Sequence, residues 1–171
     1  FGTKGAAENC IFLDSRDQAE RFHKLLLNEF LRCSNLEEPR PLEVAIVGAG
    51  ATGVELSAEL YNTAEVMASY GLKNVSPEQL KVRLIEAGDR ILPALPPRLS
   101  AAATRELESL GVEVMTSTMI TEVTDSGFVN KSGEHIPAVI RVWAAGVKAP
   151  EFMKELGLET NRANQLVVNN S

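Results

Sequence analysis

The sequence predicts an α/β domain: a mainly parallel sheet with helices on both faces, and an antiparallel meander in place of one crossover helix. Three observations predict it. Short β-branched runs alternate with segments of helical period. The first such run ends in a glycine cluster that opens directly into a helix. Beyond residue 115 the apolar period falls to two.

Size and composition bound the function. A chain of 171 residues with 44% apolar content can bury one real core. A charged fraction of 23% is ordinary for a globular chain, so wholesale disorder is not expected. The net charge of −6 argues against a nucleic-acid partner, because gripping a phosphate backbone needs a basic footprint. The apolar runs fall well short of the roughly 20 residues that span a bilayer, so no membrane contact is expected of this chain. Cys10 and Cys33 form no Cys-x-x-Cys pair. With only His23 and His135 beside them, they suggest small thiols in a reducing compartment, and no metal site. The chain opens on Phe1, carries no signal-peptide pattern and closes on Asn169-Asn170-Ser171, so both ends read as excision points.

The elements follow in order. Residues 1–13 read as an irregular lead-in. Ser15 with Gln18 three positions on fits a capping box, and Ala19, Phe22, Leu26 and Phe30 then recur at helical spacing. Residues 35–41, with Pro39 and Pro41, form a connector. Residues 43–47 are a buried strand. Helical spacing resumes at Val54 and runs to about Tyr70, with Gly71 as C-cap. An insertion at 72–79 carries a Ser76-Pro77 start signal. Residues 81–86 are a second strand, 91–97 a proline-rich loop, 98–110 a helix stopped by Gly111, and 112–115 a third strand. Three short antiparallel strands follow at 119–123, 127–130 and 134–136, with a tight turn at 131–133. Residues 139–144 are a buried strand, 151–156 a short helix and 166–168 a last strand.

The chemistry is carried by Gly48-Ala49-Gly50-Ala51-Thr52-Gly53, which fits G-x-G-x-x-G. The pattern alone is weak; directly after a strand and directly before a helix it is strong. Gly48 permits the tight turn, Gly50 lets a pyrophosphate approach the backbone, and Gly53 lets the helix pack on the sheet. The helix N-terminus offers unpaired amides and a partial positive charge. Glu86, at the end of the second strand, can accept hydrogen bonds from ribose hydroxyls and would repel a 2′-phosphate, which favours NAD over NADP. It lies 33 positions past Gly53, against about 20 in the usual fingerprint, and the long first helix and the 72–79 insertion account for the excess. Arg90 close by could tolerate a phosphate. Glu55 in the first helical turn has two readings: a favourable partner of the helix dipole, or a carboxylate pointing along the cofactor toward the nicotinamide. Ala144-Ala145-Gly146 is a small-residue turn at a strand's carboxyl end, where a dinucleotide would lie against backbone. Trp143 reads as core or cleft wall. The pattern is that of a Rossmann-like domain, with 1–41 as lead-in and helix and 42–171 as the core.

These residues together resemble a known family. The run Val44-Ala45-Ile46-Val47-Gly48-Ala49-Gly50-Ala51-Thr52-Gly53-Val54-Glu55-Leu56 resembles the type II NADH dehydrogenases (NADH:quinone oxidoreductases) of the pyridine nucleotide-disulfide oxidoreductase superfamily. So do Leu84-Ile85-Glu86-Ala87-Gly88-Asp89-Arg90-Ile91-Leu92-Pro93 and Val142-Trp143-Ala144-Ala145-Gly146-Val147. The opening, with Phe1-Gly2-Thr3 and Leu13-Asp14-Ser15, is similar to the segment before their NADH domain. The resemblance implies hydride transfer from NADH to FAD and electron transfer on to a quinone. It implies the pyrophosphate at 48–53, the adenosine ribose at Glu86, the nicotinamide end near Glu55, and Ala145 and Gly146 beside the cofactor. No second dinucleotide fingerprint precedes Gly48 and no flavin motif follows Val168, so the FAD-binding halves are expected on the missing parts of the parent polypeptide. The parent is then expected on the cytoplasmic side, peripheral to the membrane. The chain alone should bind NADH without turnover and holds no catalytic residue of its own. A ferredoxin, sulfide or disulfide reductase of the same superfamily is the nearest alternative. A non-catalytic nucleotide-sensing module is another.

Overall fold

The computed structural model describes residues 2–146, 149, 151–161 and 164–168. A short helix α1 (Ala6–Asn9) leads into strand β1 (Ile11–Phe12) and helix α2 (Arg16–Ser34). Then come β2 (Leu42–Val47), α3 (Ala51–Ser69), β3 (Leu80–Ile85), α4 (Pro97–Leu110) and β4 (Glu113–Met115). Strands β5 (Ile120–Val123), β6 (Gly127–Asn130) and β7 (His135–Pro137) precede β8 (Ile140–Trp143).

Five strands form a parallel sheet in the order β1-β8-β2-β3-β4, and β5-β6-β7 form a separate antiparallel sheet. Handedness explains the layers. The crossovers through α2, α3 and α4 all step the same way along the sheet, from β1 toward β4. Right-handed crossovers running one way put their helices on one face. The return from β4 to β8 runs the other way, so it crosses the opposite face, and the antiparallel sheet lies there. The core divides accordingly. Val44, Ile46, Val82, Leu84, Ile140 and Val142 pack with Phe22, Leu26, Phe30, Leu60 and Leu107 of the three long helices. Ala45, Val47, Ile85 and Trp143 pack with Ile120, Val123, Phe128 and Ile136 of the small sheet. The α/β, Rossmann-like class with a meander crossover is what the chain adopts. Of the helices expected on both faces, the three long ones share one face, and the second carries the meander with α1, whose Ala6 joins that core.

Local signals held where they were local. Ser15 Oγ accepts the Gln18 amide at 3.3 Å, and Gln18 Oε1 accepts the Asp14 amide at 2.8 Å. Gly111 ends α4 in a left-handed conformation. Two expectations need correction. The lead-in is not irregular: Ile11 and Phe12 pair with Val142 and Trp143 of β8. Two residues have no measurable period, and their pairing partner is far away in sequence. Residues 166–168 form no strand beyond an isolated bridge between Leu166 and Thr160. The turn Glu151–Leu156 is helical, but of 3-10 type. Because the large sheet is parallel, the carboxyl ends of its strands share one edge. The turns after β2, β3 and β8 are gathered there.

Candidate functional site

The turn between β2 and α3 is held from several sides. Gly48 has φ +106°, and a Cβ on it would lie 2.5 Å from the Ala145 nitrogen and 2.7 Å from the Ala145 Cα. Both facts demand glycine there. Its amide donates to the Ile85 carbonyl at 2.8 Å. Ala49 is fully buried; its carbonyl accepts the Leu92 amide at 2.7 Å, and its amide donates to Glu86 Oε2 at 2.9 Å. A Cβ on Gly53 would strike the Gly48 carbonyl oxygen and come within 3.3 Å of Leu84 Cδ1. The close approach predicted for Gly53 is therefore to the turn itself as well as to the sheet.

Gly50 differs from both. It is the N-cap of α3 with φ −73° and ψ −173°, an extended conformation open to any residue. Nothing lies within 4 Å of where its Cβ would be. No side chain caps the helix, and the first-turn amides at Ala51, Thr52 and Gly53 point toward its N-terminal end without intrahelical acceptors. The space in front of Gly50, Ala51 and Thr52 is exposed, and the positive end of a 19-residue helix faces it.

Glu86 follows β3 directly. Since Val47 stands in register with Ile85, Glu86 is level with the glycine turn. Its Oε1 accepts the Gly88 amide at 2.8 Å while its Oε2 holds Ala49. Its own amide donates to the Met115 carbonyl at 2.9 Å and its carbonyl accepts the Thr118 amide at 2.9 Å. Ala145 is half-buried and Gly146 exposed. The Ala144 amide donates to the Val47 carbonyl at 2.8 Å, which brings that turn against Gly48. Trp143 is buried, so it is core. Val147 lies outside the described residues.

Two predicted site residues lie outside the turn. The Arg90 guanidinium donates to the carbonyls of Leu95 at 2.7 Å and Pro93 at 2.8 Å, and so closes its own loop. Glu55 is exposed in the first turn and a half of α3. There it lines an open groove of about 1070 Å³ with Thr52, Leu56, Glu59, Leu13 and Leu110. Sequence reasoning missed Ala49, Gly88 and Leu92 as parts of the site. All three act through backbone groups, which leave no mark in residue type. Leu92, a non-glycine residue at φ +48°, gave no signal either. Among the described residues no group of His, Cys, Asp and Glu is placed to hold a metal ion. No described helix is long and apolar enough to cross a membrane.

A glycine turn at an uncapped helix N-terminus and a strand-end carboxylate beside it, at adjoining carboxyl ends of parallel strands, have the layout of a dinucleotide fingerprint. Residues 1–171 match the pyridine nucleotide-disulphide oxidoreductase family throughout. The chain belongs to that family. Within it, the chain is 48% identical to the type II NADH:quinone oxidoreductase of Haemophilus influenzae, over 98% of this chain and 41% of that protein. It is 35% identical to the type II NADH:quinone oxidoreductase NdhA of Mycobacterium tuberculosis, over 77% of this chain and 30% of the other. Among solved structures, NDH2 from Plasmodium falciparum in complex with NADH has the same fold, with a TM-score of 0.78 at 22% identity. That likeness covers 91% of this chain and 34% of the other. The chain thus spans about two fifths of the length of the Haemophilus influenzae oxidoreductase.

Proposed function

We propose that this chain is the NADH-binding unit of an FAD-dependent NADH:quinone oxidoreductase. One observation carries the proposal. Gly50 is a glycine that neither the backbone nor the packing requires, set at the mouth of an uncapped helix N-terminus. Gly48 and Gly53 are explained by protein atoms, and Gly50 is explained by a ligand that must come close to the main chain.

The residues present fit a dinucleotide. The first-turn amides at Ala51, Thr52 and Gly53 would hold the diphosphate, with Gly48 and Gly50 shaping the turn. Glu86 would accept the adenosine ribose hydroxyls. Its negative charge, with Arg90 engaged by its own loop, favours NADH over NADPH. Ala145 and Gly146 would border the cofactor beyond the turn. Glu55, one turn into α3, would stand toward the nicotinamide end. The chemistry that NADH supplies when bound is hydride donation, to an FAD held by other parts of the polypeptide, with a quinone as final acceptor. Those FAD-binding halves are the partners proposed for this chain, and a peripheral site on the cytoplasmic face of the membrane is proposed for the whole protein. The 48% identity to a protein named for the NADH:quinone reaction supports this reading over the other reductases of the family.

Isothermal titration of the chain with NADH and with NADPH tests the proposal. Saturable NADH binding, weaker NADPH binding and no quinone reduction by the chain alone are expected. Absence of heat with millimolar NADH would remove the assignment.

A further inference from the structure

Beyond accepting a ribose, Glu86 is built into the diphosphate turn. We infer that it is a positioning residue, a strut that fixes the Gly48–Gly53 turn before any ligand arrives and couples it to the sugar end of the site. The inference rests on the nucleotide reading above for its ligand, but not for its geometry.

The carboxylate bridges two backbone segments, the glycine turn and the loop after β3, which the Leu92 amide also joins by donating to the Ala49 carbonyl at 2.7 Å. One oxygen holds the Ala49 amide at 2.9 Å, inside the turn. The other holds the Gly88 amide at 2.8 Å, at the start of the next loop. That loop is fixed in turn by the Ser117 amide, which donates to the Gly88 carbonyl at 2.6 Å. Ala49 is fully buried, so its amide has no water to fall back on if the carboxylate leaves. Hydrogen bonds to an ionised acceptor are roughly twice as strong as neutral ones. A carboxylate offers about four lone-pair sites, and the two amides use two. Two remain, enough for the two hydroxyls of one ribose. Sugar and turn are thus held by a single group. Truncating it should harm recognition of the diphosphate even in a ligand that has no hydroxyls to offer. A carboxylate that served only the ribose would have no such effect.

The test uses wild type, Glu86→Ala and Glu86→Gln, with circular dichroism to establish that each folds. In the ligand-free proteins, NMR should show the Ala49 and Gly88 amide protons moving upfield and exchanging faster in Glu86→Ala. Glu86→Gln keeps one carbonyl acceptor and should rescue one of the two. Unchanged amides in Glu86→Ala would overturn the strut whatever binds. Titration then compares NADH with an analogue whose adenosine ribose is 2′,3′-dideoxy, the diphosphate intact. Glu86→Ala should weaken the analogue about tenfold, the scale of one charge-assisted hydrogen bond. Loss of NADH affinity with the analogue unaffected would reduce Glu86 to a sugar ligand and overturn the inference. If wild type binds neither ligand, the nucleotide reading falls and the ligand half of this inference with it, while the amide resonances still decide the geometry.

Discussion

The three glycines of the turn look alike in the sequence and answer to different causes. Gly48 and Gly53 are imposed by protein atoms, whereas Gly50 faces open space. Gly50→Val should therefore cost only about 1 kcal/mol of stability, the scale of a poorer N-cap, and abolish NADH binding, because the new side chain fills the place proposed for the diphosphate. Calorimetry beside a thermal melt checks both halves; unaltered affinity would mean that the cradle lies elsewhere. Cys10 allows a second residue-scale prediction. Burial pushes its thiol up to about 12 from 9.0, against a smaller opposing pull from Arg141. Raised in the folded state, it keeps its proton where the unfolded chain has lost it. Its contribution is present in full below pH 9 and declines as pH rises toward 12. Cys10→Ala should flatten the fall in denaturant midpoint across that window, and identical slopes for the two proteins would contradict it.

At the scale of elements, the β2–turn–α3 unit is one object. Gly53 is where the helix and the turn compete for space, since any Cβ there meets the Gly48 carbonyl. Ser57 Oγ adds to this by donating to the Gly53 carbonyl at 2.7 Å, one helical turn on. Gly53→Ala should cost about 1–3 kcal/mol, the usual scale of overpacking. It should weaken NADH binding too, because the turn and the helix N-terminus move together. Urea unfolding with parallel titration measures both. A stability loss with full affinity would show that the helix can shift without disturbing the turn.

Across the whole molecule, the two layers are joined by a buried cation. Arg83 on β3 is 7% exposed and donates to Glu43 of β2 at 3.2 Å, Glu113 of β4 at 3.1 Å and the Pro137 carbonyl of β7 at 2.7 Å. One guanidinium ties three parallel strands to the last strand of the small sheet, and its planar fork suits that task better than an ammonium would. Arg83→Ala leaves Glu43 part-buried without its partner. The cost should be about 3 kcal/mol, the low end of the range for a broken buried pair, because Glu113 is half exposed. Guanidinium melts check this; a loss below 1 kcal/mol would mean that water replaces the contacts.

The sequence by itself determined what short-range physics can write. Period and caps placed strands β2, β3, β4 and β8, the three long helices and the meander, because burial on one face or both stamps a repeat on neighbouring residues. The glycine turn was legible for the same reason: a tight bend and a close approach restrict residue type at the position itself. Glu86 was legible as a strand-end acid. Only the tertiary structure decided that its carboxylate is turned into the turn, that Arg90 closes its own loop, that Arg83 joins two layers and that Ile11 and Phe12 enter the sheet. It also decided which face takes the helices and which the meander, since that follows from strand order and the handedness of crossovers. These contacts run between residues far apart in the chain, many of them through backbone amides and carbonyls that every residue type carries. Nothing in the linear order of side chains marks them.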